Sequence, residues 1–237
     1  RHEAEGHQES HQQKNGEIVT ISAKEGAAVL DCFAFPGIYS LYACKFGAKQ
    51  LTCVENSSRK VKAVERNLAI NGFGDRVEWI KQDSWHFIEK QALQNHSYLD
   101  KLKVDNEGPL QNSAEPAKTD SDYRLWDVVI VRPPADSADT FKEMSEHILQ
   151  LVSDGGFLIM AMNTQEEDIS SHLELIEEAA AGAGKLLRLV SIERAGQDFP
   201  QLLHLRAETD LIFSILEVSN RVSVIPSKLV SKKKAKV

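Results

Sequence analysis

The sequence predicts an α/β domain built on a doubly wound sheet of seven strands. Apolar, β-branched runs alternate along the chain with segments whose apolar residues recur at helical spacing. Strands separated by helices of about ten to sixteen residues are typical of right-handed βαβ units and a parallel sheet. Acidic residues stand where the first three strands end, which is where doubly wound sheets bind ligands.

The first half of the chain predicts three strands and three helices. The strands are predicted at 27–33, 50–55 and 76–83, and the helices at 37–48, 57–73 and 84–93. The second helix opens with the serine cap Ser57 and ends at Asn71-Gly72, a helix-stop signal. The first helix opens at Gly37, where a single glycine does not make the glycine-rich turn of a dinucleotide site.

The second half continues the same alternation. Strands are predicted at 126–131, 155–162, 186–194 and 207–218, with helices at 138–152 and 169–184. The domain is therefore expected to cover 21–220, with an inserted loop at about 100–124 that is rich in breaker residues and poor in apolar ones.

Polar segments flank this domain. Residues 1–20 are expected to form a flexible N-terminal segment. Its histidines resemble a metal-binding tract, but we predict no metal site; they are His2, His7 and His11. Residues 221–237 form a basic tail of a kind through which acidic proteins contact RNA; its lysines are Lys228, Lys232, Lys233, Lys234 and Lys236.

Composition limits the remaining possibilities. The net charge of −7 gives no global attraction to nucleic acid, so any such contact needs a local patch. The three cysteines, Cys32, Cys44 and Cys53, fall in predicted core elements, which indicates reduced thiols and an intracellular location, in the cytoplasm or an organelle. There is no signal peptide, and no apolar run approaches the ~18 residues of a membrane span, so no membrane partner is expected.

The ends of the first three predicted strands suggest a nucleoside pocket. Asp31 and Gly37 follow the first strand, and the glycine lets a ligand approach the backbone. Glu55 stands about 20 residues further, where an acid can hold both hydroxyls of a ribose. Asp83 can accept from an adenine amino group while Trp85 flanks the ring. Alternatively, Glu55 and Asp83 cap the helices that follow, and Trp85 packs in the core.

The run "VLDCFAFPGIYSLYACKFGAKQLTCVENSSRKVKAVERNLAINGF", with "RVEWIKQD" and "WDVVIVRPPAD", resembles S-adenosylmethionine-dependent class I methyltransferases. It is more narrowly similar to bacterial large-subunit ribosomal RNA methyltransferases that act on cytosine C5 or guanine N7. The resemblance implies a Rossmann-like sheet, mostly parallel, with an antiparallel C-terminal hairpin. It implies that the methionine part of the cofactor is lined by Asp31, Phe33, Phe35 and Gly37, with Glu55 at the ribose and Asp83 at the adenine.

The resemblance also exposes departures at the catalytic positions. The acid-Pro-Pro motif of the family is Arg132-Pro133-Pro134 here, and Ile38 replaces a second glycine. Asn163 occupies the position of the cysteine found in the cytosine-C5 enzymes. Methylating cytosine C5 needs a thiolate that adds to the ring, whereas guanine N7 already has a lone pair and needs positioning.

Two functions follow from these residues. The first is an S-adenosylmethionine-dependent RNA methyltransferase, most simply on rRNA and on nitrogen rather than carbon. The second is a catalytically degenerate methyltransferase fold that serves as a structural or RNA-binding subunit of a ribonucleoprotein, in an organelle for example. Methylation of a small molecule or a protein is a weaker third alternative. RNA or a ribonucleoprotein is the expected partner in both of the first two cases.

Overall fold

A computed structural model of the chain describes residues 26–106, 123–134, 138–164, 169–194 and 210–221. Its strands are β1 (Ala28–Cys32), β2 (Gln50–Val54), β3 (Val77–Ile80), β4 (Trp126–Val131), β5 (Val152–Thr164), β6 (Lys185–Arg194) and β7 (Asp210–Asn220). Its helices are α1 (Ile38–Lys45), α2 (Ser58–Ile70), α3 (Ser84–Asn106), α4 (Ala138–Gln150) and α5 (Ile169–Gly182), with a short 3₁₀ turn at Gly74–Arg76.

The strands form one seven-stranded sheet in the order β3-β2-β1-β4-β5-β7-β6. The pairs from β3 to β5 are parallel. Strand β7 lies antiparallel to both β5 and β6. The predicted fold class is confirmed: a doubly wound, Rossmann-like sheet, mostly parallel, with an antiparallel C-terminal hairpin.

The helices cover the sheet in two layers, and β4 shows the division. Val128 and Ile130 join a core cluster with residues of α1 and α2. Val129 and Val131 join the other cluster, with residues of α3, α4 and α5. Alternate side chains of a strand point to opposite faces, so α1 and α2 lie on one face of the sheet and the other three helices on the opposite face.

The direction of the chain changes between β1 and β4. From β1 the chain moves outward through β2 and β3, and it then returns to place β4 on the other side of β1. In open α/β sheets such a switch point opens a crevice at the carboxyl ends of the strands, because the flanking connections leave in opposite directions. The candidate site is therefore expected above β1 and β4.

The third helix is longer than the sequence predicts. It continues to Asn106, so the loop predicted from about residue 100 begins later than expected. The side chain of Asn95 donates to the Arg124 carbonyl oxygen at 2.8 Å and accepts from the Arg124 N–H at 3.0 Å. The rings of Tyr98 and Tyr123 lie 4.8 Å apart. These contacts hold the second half of α3 against the chain entering β4, which a local sequence pattern does not show.

Several predicted segments lie outside the described residues. They are the N-terminal segment at 1–20 with its three histidines, most of the inserted loop, and the basic tail apart from Arg221. Within the described ranges, no helix combines the length and the apolar character that a membrane crossing requires.

Candidate functional site

The ends of β1, β2 and β3 are tied together at the carboxyl edge of the sheet. The Ser84 hydroxyl donates to the Val54 carbonyl oxygen at 3.3 Å and accepts from the Phe33 N–H at 3.1 Å. The Glu55 N–H donates to the Ile80 carbonyl oxygen at 3.2 Å. The structure thereby brings to one edge the strand-end residues that the sequence singles out: Asp31, Gly37, Glu55 and Asp83.

Asp31 is the most deeply buried acid of this edge. Its side chain is fully buried, and its Oδ2 accepts from the Ser40 hydroxyl in the first turns of α1. Its Oδ1 has no hydrogen-bond partner among the residues that the structure describes. Burial raises the pKa of Asp31 to about 7, although the Ser40 hydrogen bonds and the positive charge of Arg132 act in the opposite direction. Asp31 is therefore a carboxyl group that can change its charge near neutral pH.

The turn between β1 and α1 brings backbone and aromatic groups to the same edge. Phe33 has a left-handed backbone with φ of 61°, and its ring meets the Trp85 ring edge-on at 4.9 Å. Phe35 is exposed at 43%. Gly37 has φ of 95°, and a Cβ there would lie 2.6 Å from Cγ1 of Val64. A glycine is required at this position, because any side chain would meet both an unfavourable backbone and a packed neighbour.

Glu55 and Asp83 both contact the helix that follows them. Oε1 of the buried Glu55 accepts from the Ser57 N–H at 3.2 Å and lies 3.5 Å from Nζ of Lys60. Oδ1 of the exposed Asp83 accepts from the His86 N–H at 3.0 Å, which makes Asp83 a cap of α3. The cap of α2 is Ser57 itself. In the described part of the chain, the second carboxylate oxygen of each acid has no hydrogen-bond partner, so capping leaves both acids able to accept from a ligand.

The end of β4 differs from the ends of β1, β2 and β3. Arg132 and Pro133 are half-buried and Pro134 is exposed. Burial raises the pKa of Tyr39, and the charge of Arg132 acts against this shift as it does for Asp31. The charge of Arg132 therefore acts on both the acid of β1 and the tyrosine of α1. The Arg132 side chain makes no hydrogen bond and no salt bridge with any described residue.

Some residues of the site were not predicted from the sequence. Tyr39 on α1 packs edge-on against the Phe213 ring of β7 at 6.0 Å, which joins the start of α1 to β7. Ser40 and Lys60, which contact Asp31 and Glu55, were missed as well. Their positions depend on how α1 and α2 are rotated against the sheet, and the helical pattern alone does not fix that rotation.

Asn163 lies within β5, opposite Leu211, rather than past the end of the strand. Strand β5 is longer at both ends than the predicted 155–162. Its first residue, Val152, pairs with Trp126 of β4, and its last residues pair with β7 as far as Thr164. The side chain of Asn163 lies outside the described part of the structure, so its relation to the pocket stays a prediction.

The thiols near the described part of the site are buried, and one of them, Sγ of Cys53, lies 3.3 Å from Oγ of Ser40. Cys32, Cys44 and Cys53 are all free and buried. Burial raises the pKa of Cys32 and that of Cys53, so these thiols stay protonated at neutral pH. No described group of three or more histidine, cysteine, aspartate or glutamate residues is placed to hold a metal ion.

Comparison with known proteins places this site in context. The chain is 23% identical over 194 residues to the ribosomal RNA large subunit methyltransferase I of Alteromonas mediterranea, which covers 79% of this chain and 43% of that protein. The similar enzyme of Shewanella denitrificans is 24% identical over 199 residues, with the same coverage of both chains. The chain thus spans about two fifths of the length of the curated relatives it matches. No protein-family model matches the sequence.

Solved structures share the fold. A putative SAM-dependent methyltransferase from Streptococcus mutans superposes with a TM-score of 0.57 at 16% identity, covering 81% of this chain and 44% of that one. Trm5b from Pyrococcus abyssi superposes with a TM-score of 0.54 at 21% identity, covering 82% of this chain and 45% of that one. The chain therefore has the fold of class I S-adenosylmethionine-dependent methyltransferases, and its sequence resembles that of the large-subunit ribosomal RNA methyltransferases.

Proposed function

We propose that this chain is an S-adenosylmethionine-dependent RNA methyltransferase whose acceptor is a nitrogen atom of ribosomal RNA. The observation that supports this best is the row of carboxylates on three consecutive strand ends, Asp31, Glu55 and Asp83, beside the switch point of the sheet. Each of the three has one carboxylate oxygen without a hydrogen-bond partner in the described structure. Buried or helix-capping acids that retain such an oxygen fit a ligand with several donor groups.

These residues suit the parts of the cofactor in order along the sheet edge. Asp31, Phe33, Phe35 and Gly37 would hold the methionine part, where a buried carboxylate favours the positive ammonium group. Glu55 would accept from the ribose hydroxyls. Asp83 would accept from the adenine amino group, with Trp85 along the ring. When bound, the cofactor supplies a methyl group on a positively charged sulfur.

Nitrogen is favoured over carbon because the chain has no suitable thiol. Covalent activation of cytosine C5 needs a reactive thiolate at the acceptor side of the pocket. All three cysteines lie on β1, α1 and β2, and they are buried. A nitrogen with its own lone pair needs only to be oriented, and Arg132, Pro133, Pro134 and Asn163 are the positions proposed to meet the acceptor.

A second candidate function is supported by Arg132. If the acid at the end of β4 is required for turnover, the chain is a degenerate methyltransferase that binds RNA or a ribonucleoprotein without modifying it. The buried, free thiols agree with a reducing intracellular compartment for either function.

Binding of the cofactor is the direct test. Titration calorimetry with S-adenosylhomocysteine should show weak but measurable binding, and Glu55→Ala should reduce the affinity by about 1.5–3 kcal/mol, the range for a hydrogen bond to a charged group. Glu65→Ala is the matched control, since it removes the same charge from an exposed site on α2. No heat with the unmodified chain, or equal affinity in Glu55→Ala, would contradict the proposal.

Methyl transfer separates the two candidates. Incubation with labelled S-adenosylmethionine and unmodified large-subunit rRNA should label the RNA if the chain is an enzyme. Cofactor binding without label, together with copurification of ribosomal particles, would favour the degenerate subunit.

The basic tail is proposed to add to RNA binding. Deleting residues 228–237 should flatten the dependence of affinity on salt, by about 0.7 in log–log slope for each phosphate of a single strand that the tail no longer neutralises. An unchanged slope would show that Lys228, Lys232, Lys233, Lys234 and Lys236 bind no phosphate.

A further inference from the structure

The two helical layers of the protein carry opposite charge. Helices α1 and α2, on one face of the sheet, expose one acidic residue, Glu65, against five basic ones: Lys45, Arg59, Lys60, Lys62 and Arg66. Helices α3, α4 and α5 on the opposite face have, among their described side chains, eight acidic residues against three basic ones: Glu89, Asp100, Asp139, Glu143, Glu146, Glu174, Glu177 and Glu178 against Lys90, Lys101 and Lys142. A chain with a net charge of −7 thus has a local basic surface.

Exposed aromatic rings lie in the same helical layer as these basic residues. Ile38 and Tyr42 of α1 and Phe46, the residue that caps its C-terminus, follow one another at intervals of four residues, so they share one side of the helix. Tyr42 is exposed at 55% and Phe46 at 66%. Their rings lie 6.1 Å apart and within 12° of parallel. Large exposed apolar side chains in a contiguous row mark an interaction surface more often than scattered ones do.

We propose that this surface, the α1–α2 face defined by Tyr42, Phe46, Lys45, Lys62 and Arg66, binds single-stranded RNA. Flat rings with flanking cations are the combination that sequence-tolerant single-strand sites use, because every base has a face to stack and every nucleotide has a phosphate. A protein partner would have to supply several acids to match the excess of positive charge on these two helices, whereas RNA supplies phosphates at every step. This inference rests on the proposed RNA acceptor.

The α1–α2 face is continuous with the candidate site. Helix α1 begins directly after Gly37, and α2 begins three residues after Glu55. At the shared edge, Nζ of Lys60 lies 3.5 Å from Oε1 of Glu55 and 5.8 Å from the centroid of the exposed Phe35 ring. RNA held along α1 would therefore reach the pocket edge at its Phe35 end. The face is suited to position the acceptor strand beside the cofactor residues.

Fluorescence anisotropy can measure the contribution of the aromatic rings to RNA affinity in the 237-residue chain. The probe is a labelled oligouridine of about twelve nucleotides, which is within the usual site size for single strands. Tyr42→Ala and Phe46→Ala should each weaken binding, within a range of about 5-fold to 100-fold for the loss of one stacked base. Tyr42→Phe and Phe46→Tyr keep the rings and should bind as the unmodified chain does. Leu93→Ala is the matched control, because Leu93 is exposed at 56% on α3, on the opposite face of the sheet.

The charge contribution has its own control pair. Lys62→Ala with Arg66→Ala should lower the log–log salt slope by about 1.4, for two phosphates bound on a single strand. Lys90→Ala with Lys101→Ala removes the same charge from α3 and should leave the slope unchanged. The tail is present in every variant, so differences between variants report the helices alone.

Two results would overturn the proposal. One is an oligouridine affinity that is equal in the ring-removing and unmodified proteins. The other is a change in oligomeric state or partner capture in those variants with no change in RNA affinity, which would make the face a protein interface. Calorimetry with S-adenosylhomocysteine on the same variants keeps the two hypotheses apart. RNA binding weakened in the ring-removing variants with cofactor binding retained supports the α1–α2 face, whereas cofactor binding absent in all variants contradicts only the proposed methyl transfer.

Discussion

The carboxyl ends of β1, β2 and β3 and the end of β4 lie on one edge of one sheet, yet their chemistry differs. The first three ends present acids that are held in place by a hydroxyl or by helix N–H groups and that each retain an oxygen without a partner in the described structure. The end of β4 presents a cation, Arg132, that forms no ion pair with the described residues. The first three ends carry the acids that are proposed to hold a cofactor, and the end of β4 carries the residues that are proposed to meet the acceptor.

Asp31 connects these two regions. Its burial raises the pKa, and the neighbouring charge of Arg132 partly offsets that effect. An acid at position 132 would instead place a second negative charge near Asp31 and disfavour its ionised form further. The charge at the end of β4 and the buried carboxyl group of Asp31 are thus electrostatically coupled, so a change in one region should be measurable in the other.

The largest expected effect is on stability, through Asp31. With a folded pKa of about 7 against an ordinary value of 3.8, the folded state retains a proton that the unfolded chain has released between about pH 4 and pH 7. Stability should therefore fall as pH rises through this window, by about 3 kcal/mol from pH 4 to pH 7. In Asp31→Asn this component should be absent.

Urea denaturation at several pH values gives the free energy of unfolding of the unmodified chain and of Asp31→Asn. The titrations of all other groups cancel in the difference between the two. Asp139→Asn, a charge change at an exposed site on α4, is the control and should follow the unmodified chain. Parallel stability curves for Asp31→Asn and the unmodified chain would show that Asp31 is ionised throughout, and the two regions would then not be coupled.

A smaller effect is expected at the turn of the cofactor region. Gly37→Ala places a Cβ at 2.6 Å from Val64 in a left-handed backbone and should cost about 2 kcal/mol or more. Gly47→Ala has a similar backbone, with φ of 96° and no atom within 4 Å of the added Cβ, and should cost only about 1 kcal/mol. Thermal denaturation that gives equal losses for both variants would rule out a packing role for Gly37.

The sequence predicts the strands and the acids at their ends well, but it does not predict how side chains pack around those acids. Strand β4 has the predicted bounds because its apolar run is long and ends at two prolines. The convergence of Asp31, Glu55 and Asp83 follows from topology, since the ends of adjacent parallel strands meet at one edge. The packing of Tyr39 against Phe213 could not be predicted, because it joins residues that are far apart in sequence and depends on the register of β7.

The smallest expected effect is on cofactor affinity and concerns Arg132. It tests whether the positive charge of Arg132 weakens the binding of a positively charged cofactor. Two positive charges ~5 Å apart repel by about 3 kcal/mol at an effective dielectric near 20, but partial exposure and the nearby Asp31 should reduce this to about 1 kcal/mol. Cofactor affinity measured by calorimetry should therefore rise from the unmodified chain to Arg132→Gln and further to Arg132→Asp. The glutamine variant removes the cation without adding an acid, and it separates the two contributions.

Methyl transfer should appear or increase only in Arg132→Asp, because that variant alone restores the acid-Pro-Pro motif. Pro133 and Pro134 restrict the backbone after β4, so the new carboxylate should occupy the same region as the guanidinium group that it replaces. If the unmodified chain instead methylates rRNA at ordinary enzymatic rates and Arg132→Asp abolishes the reaction, the cation is a working group. Its most direct role would then be to bind a phosphate of the acceptor strand, since a guanidinium group pairs with phosphate through two parallel hydrogen bonds.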